Sequence, residues 1–266
     1  MRRGMFLLLL VLSSTLMLAE DTRLQVKHDH GLRSCRGELV FRDDGVEYVT
    51  SHKEDARTWN YVDIQQLGLK SDKKISVVTY EDRKLQFGKD KIFNFEITEG
   101  SIPPALAGML QTRLTKPLVS AVIPEIPAAR YQLPVKHQHA LGGCQGDLEI
   151  GEQQVVYKTS HRSDSRIWRY EDLSSIGSTG PFQLRLSGME RTNGEHGAEK
   201  NFIFDLKRRL DPEIYDFLWG KINLPRINSS WVTHSDRLAG WPATPIVKTR
   251  IIALEVSNRR FNELPS

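Results

Sequence analysis

Residues 26–35 read VKHDHGLRSC, and residues 135–144 read VKHQHALGGC. Two ten-residue segments that share Val, Lys, both histidines, Leu and Cys at one spacing are copies of each other. Their His-x-His alternation has the two-residue period of a β-strand, so both rings of each pair project to one face. Such a pattern is repeated either because it binds something or because it builds something.

Outward from these segments the register holds. A constant offset of 109 aligns residues 26–68 with 135–177, and 19 of the 43 positions are identical without a gap. Gly37, Leu39 and Tyr48 recur as Gly146, Leu148 and Tyr157, and Thr50-Ser51-His52 as Thr159-Ser160-His161. Asp55, Arg57, Trp59, Tyr61 and Asp63 recur as Asp164, Arg166, Trp168, Tyr170 and Asp172. The offset then pairs Gly88, Phe93, Phe95 and Pro103 with Gly197, Phe202, Phe204 and Pro212. Each copy covers about ninety residues, far longer than a solenoid unit, so each reads as a self-sufficient domain. The expected division is residues 24–114, a proline-rich linker over 115–133, a second copy over 134–222, and an extension over 223–266. Prolines 117, 124, 127 and 134 favour an extended linker. The extension carries Trp231, Trp241 and a strand-like run at 246–256.

Within one copy, short alternating segments predict strands: Leu39 and Phe41, then Val46, Tyr48 and Thr50, then Arg57, Trp59 and Tyr61. Asp43-Asp44-Gly45 marks a hairpin turn. Further strands are expected at 75–80, 85–87 and 92–97, about seven in all. The period then changes, because Leu106, Met109, Leu110 and Leu114 follow helical spacing, as do Ile214, Phe217, Leu218 and Ile222. Asp211 and Pro212 supply a cap and a first-turn proline for the second helix. The fold class is therefore mainly β with C-terminal helices (α+β): two tandem seven-stranded barrels or sandwiches, each closed by one helix.

That order resembles the pleckstrin-homology-like superfold, including bacterial pleckstrin-homology and GRAM-type domains. The likeness rests on the Gly-x-Leu segments, the hairpin into Val-x-Tyr, Trp59 to Ile64, and the Phe-x-Phe strand before the helix. It implies binding or scaffolding, and in some members phosphoinositide recognition by basic residues of the first hairpin. That last property does not carry over, since Arg33 and Arg36 correspond to Gly142 and Gln145.

The N-terminus bounds the setting. Arg2 and Arg3, the apolar run 5–12 and the weaker run ending at Ala19 have the layout of a signal peptide over residues 1–19. Met17 stands where a small residue is preferred, so an uncleaved membrane anchor is the alternative. The expectation is an exported protein, periplasmic or extracellular. Net charge is +4, two units less once Arg2 and Arg3 are removed, with 37 basic and 33 acidic side chains. That balance gives nucleic-acid binding no support.

Three polar sets deserve weighing. His28, His30, Cys35 and His52, with His137, His139, Cys144 and His161, offer imidazole and thiolate donors for one zinc or copper ion per copy. Against this, the spacing matches no established zinc motif, and structural histidines are the commoner case. Cys35 and Cys144, the chain's two cysteines, either bridge the copies in an oxidising compartment or sit buried, one in each core. Trp59, Tyr61, Trp168 and Tyr170 read as core anchors ahead of a stacking platform, and Asp55, Arg57 and Asp63 with their copies as turn and edge ion pairs. Catalysis is not expected: Ser51 and His52 would point to opposite strand faces, and no nucleophile elbow, metalloprotease motif or phosphate loop occurs. The function expected is a non-catalytic module that recognises a protein or peptide at the cell envelope, without a cofactor. The alternative is a metal-binding protein.

Overall fold

The structure, a computed structural model, describes residues 21–30, 33–83, 86–190 and 199–237. Residues 1–19, expected to be a leader, Trp241 and the strand-like run expected at 246–256 lie outside the described residues. The chain divides into two compact units, Met1–Tyr215 and Asp216–Ser266.

The first unit is built of strands. In chain order they are β1 (Thr22–Asp29), β2 (Ser34–Phe41), β3 (Gly45–Thr50), β4 (Arg57–Asn60), β5 (Ile64–Leu69), β6 (Lys74–Arg83) and β7 (Gln86–Ile97). The helix α1 (Pro104–Arg113) and the short β8 (Leu118–Ser120) follow. Then come β9 (Tyr131–Gln138), β10 (Gly143–Ile150), β11 (Gln154–Thr159), β12 (Arg166–Arg169), β13 (Leu173–Ser178), β14 (Gln183–Gly188) and β15 (Lys200–Leu206). Seven strands per half were expected and seven form, though not the expected seven. Residues 86–87 and 92–97 belong to one long β7, residue 85 lies outside the described residues, and β5 is a strand of its own. The helix α2 (Pro212–Arg237) opens at the unit's end and forms the described part of the second unit. It does not stop near Ile222 as expected but continues through Pro225. Among the described residues no helix is long and apolar enough to cross a membrane.

Among the described residues fifteen strands hydrogen-bond into one open sheet, in the order β13-β14-β15-β9-β10-β11-β12-β8-β5-β6-β7-β1-β2-β3-β4. This corrects the expectation of two closed barrels. Closure would need β4 to pair with β5, and β12 with β13. Instead a single 3₁₀ turn at Tyr61–Asp63, and its copy at Tyr170–Asp172, redirects the chain between them. The linker, expected to be merely extended, supplies β8, which pairs parallel with β5 and antiparallel with β12.

Alternation explains the packing. In β1 the burial runs in a two-residue period over Leu24, Val26 and His28, and β9 repeats it over Leu133, Val135 and His137. Leu106 and Leu110 on α1, with Leu114 just past its end, join Leu39, Tyr48 and Phe95 in the core of the first half. Each large aliphatic side chain fully buried there contributes about 1.5–3 kcal/mol. Trp59, Tyr61, Trp168 and Tyr170 are all buried. At the second helix Asp211 Oδ1 accepts the Glu213 backbone N–H at 2.9 Å, the cap its sequence announced.

Candidate functional site

The two quoted segments form equivalent hairpins. His28 faces Cys35 across β1 and β2, and His137 faces Cys144 across β9 and β10. A ring from the next strand reaches over each pair. Tyr48 and Tyr157 can do so because Gly37 and Gly146 lie beneath them. A Cβ at Gly37 would stand 2.7 Å from the Tyr48 ring and 2.3 Å from the Val49 carbonyl oxygen; at Gly146 the distances are 2.8 Å from the Tyr157 ring and 2.1 Å from the Lys158 oxygen.

In the first half the inner histidine, His28, is buried against Phe93 and Phe95, and its Nδ1 donates to the Asn94 carbonyl at 2.9 Å. Burial pushes its pKa down, more than the Asn94 bond raises it. The outer histidine, His30, stacks edge-on against it with ring centroids 4.3 Å apart. His30 Nε2 lies 3.0 Å from Cys35 Sγ and 3.5 Å from Asp55 Oδ2. Cys35 Sγ is in turn 3.0 Å from the Tyr48 hydroxyl.

In the second half the same residue types converge differently. His137 Nδ1 lies 3.0 Å from Asp164 Oδ2, and His139 Nε2 lies 3.2 Å from the same oxygen. Burial opposes the charge on Asp164, but the His137 hydrogen bond and the nearby His137, His139 and Arg166 outweigh it and hold the carboxyl below its usual range. Burial, and then Asp164, push the Cys144 thiol up.

The repeated Thr-Ser-His-x-x-Asp-x-Arg stretch delivers that aspartate. Asp55 N–H donates to the His52 carbonyl at 2.9 Å, and Asp164 N–H to that of His161 at 2.8 Å. Arg57 Nη1 grips the Glu54 and Ala56 carbonyls, both at 2.7 Å, and Arg166 Nη1 those of Ser163 and Ser165, both at 2.8 Å. The guanidinium thus braces the carboxylate's own loop in both halves. Arg166 also bonds Glu190 through Nε at 3.1 Å.

Of the four donors expected in each half the structure brings two together, His30 with Cys35 and His137 with His139, and adds an aspartate to each pair, while His28 and Cys144 stay outside the sets. His52 and His161 are exposed turn residues, and the clusters of groups able to hold an ion are His30, Cys35, Asp55 and His137, His139, Asp164. The aspartates, expected to be edge ion pairs, take the place given to the turn histidines. Their recurrence at the 109 offset within a loop beside the His-x-His strand was the signal available. Both cysteines are free thiols, each engaged in its own half. Ser51 and His52 leave the strand at the end of β3, so they do meet, Oγ to Nδ1 at 3.4 Å on the exposed surface; the strand-alternation argument does not hold there.

No protein-family model matches the chain, and no curated protein matches it. Among solved structures, the Spt16D Pob3N heterodimer contains a chain similar to this one at 11% identity and a TM-score of 0.28, over 64% of this chain and 84% of that one. A likeness at that score establishes neither fold nor function.

Proposed function

We propose that the chain is a non-catalytic binding or scaffolding protein, exported to the cell envelope, which takes up an extended segment of a protein partner along a free sheet edge. Each half reads as a pleckstrin-homology-like unit: seven antiparallel strands in meander order followed by a helix. The observation that carries the proposal is β8. This three-residue segment pairs with the outer edges of β5 and β12, with Leu67–Leu69 opposite Leu118–Ser120. The counterparts of those edges lie on β13, at residues 176–178, and on β4, the two strands that end the sheet order among the described residues.

Burial follows the pairing. Leu67, Gly68 and Leu69 are buried beside β8, whereas Ile176 and Gly177 are half-buried and Ser178 is exposed at the equivalent place on β13. Ile167 on β12 is buried and its counterpart Thr58 is exposed. An edge that accepts a strand in one half of a duplicated architecture offers main-chain donors and acceptors to a guest in the other, which is strand addition. The polar Thr58 and Ser178 keep the open edges soluble in the guest's absence.

Hydrogen exchange of the purified protein against a library of extended peptides tests this, the sequence of residues 117–122 among them. The expected result is slowed amide exchange at 176–178, lost in Gly177→Pro. A library that leaves exchange on both β4 and β13 unchanged would refute the reading.

A further inference from the structure

We infer that each half holds an open, three-ligand site for a borderline divalent metal ion of the zinc class: His30, Cys35 and Asp55 in the first, His137, His139 and Asp164 in the second. This stands independently of the strand-edge reading.

Three observations converge on it. First, in each set one donor atom per residue lies within 4.8 Å of the others. Tetrahedral zinc with bonds of 2.0–2.3 Å separates its ligand atoms by roughly 3.3–3.7 Å. The separations of 3.0 Å and 3.5 Å around His30, and of 3.0 Å and 3.2 Å around Asp164, need only small shifts to meet that. Second, the donors are imidazole, thiolate and a single carboxylate. That mixture suits zinc, whereas calcium and magnesium take oxygen ligands. Third, the loop that carries the carboxylate is braced from outside the cluster by the arginine two residues on, which bonds the two backbone carbonyls flanking the aspartate in both halves. Outer contacts that fix a ligand before the ion arrives are the usual support of a metal site.

The two sites differ in a way that follows from the inner histidine. His28 is turned to the Asn94 carbonyl, which leaves Cys35 as the third donor. His137 is turned to Asp164 instead, and Cys144 stays outside the set. The first site is thus N, S, O and the second N, N, O, each keeping a position open for water or a partner's side chain.

The test is zinc titration of the purified full chain, stripped with a chelator, against a chromophoric competitor, with cobalt as the spectroscopic substitute. The expected stoichiometry is about two ions per chain, falling to about one in Asp55→Asn and in Asp164→Asn and to none in the double variant. His139→Gln, at a partly exposed ring, should match Asp164→Asn, so a folding defect at Asp164 would not obscure the result. Cobalt should give a thiolate charge-transfer band that Cys35→Ser removes and Cys144→Ser leaves. Fewer than two ions in the wild type, or two that survive the double Asp variant, would overturn the inference. A thiolate band that depends on Cys144 would overturn the ligand assignment.

Discussion

Arg169 is a side chain that differs between the copies and bonds elements of both halves. Its Nε and Nη2 bond the two Asp172 carboxylate oxygens, both at 2.9 Å, and Nη1 reaches across to the carbonyls of Gln111 at 3.0 Å and Leu114 at 2.9 Å. It thereby caps the C-terminal end of α1, which belongs to the other half, while Asp172 fixes the fork. Its counterpart is Asn60, which reaches only Asp63. Arg169→Ala should cost about 3 kcal/mol, because the buried Asp172 charge loses its partner, and Arg169→Lys should recover little of this. Chemical denaturation checks both. Tyr61 gives a pH signature of another kind. Burial pushes its pKa up from 10.0 to about 12, against the opposing charge of Arg113 and with smaller help from Asp44 and Asp43. A phenol whose folded pKa is raised contributes stability that is complete below pH 10 and is lost as pH climbs toward 12. That part is on the order of 2 kcal/mol. Tyr61→Phe should flatten this limb of the stability profile, and Tyr170, raised in the same direction by burial, should account for a further share.

At the scale of elements, β8 is the short piece on which the single sheet depends. It lies between two strands, so each of its backbone N–H groups faces one neighbour or the other. Val119→Pro removes a donor and imposes a ring between β5 and β12. The expected outcome is a lower first thermal midpoint and two resolved transitions where the wild type shows one, read by calorimetry, because each half would keep its own core. A single transition at the wild-type midpoint would show that the halves are joined without β8. Much of the element scale was legible. The strands of alternating burial and the start of both helices follow from periodicity, and the Asp211-Pro212 cap from its chemistry. The small strand β8 was not, since three residues between prolines carry no period. The run of α2 through Pro225 was not either, because proline argues for a stop that the helix ignores.

For the whole molecule, the decisive fact is that among the described residues the duplication gives four outer edges, and β8 covers two of them. What remains open, on β4 and β13, is where a guest segment is expected to add, and the two metal-type clusters sit on the hairpins that the duplicated sequence preserves best. The sequence by itself determined the duplication, the strand period and the mainly β class with helices. These are local or periodic properties, set by side-chain alternation and one-to-one register. Only the tertiary structure decided that Asp55 and Asp164, not His52 and His161, meet the histidines, that neither barrel closes, and that the linker becomes a strand. Those outcomes depend on which loop folds back over which hairpin and on which edge is left unpaired, and contacts between residues far apart along the chain leave no period to read.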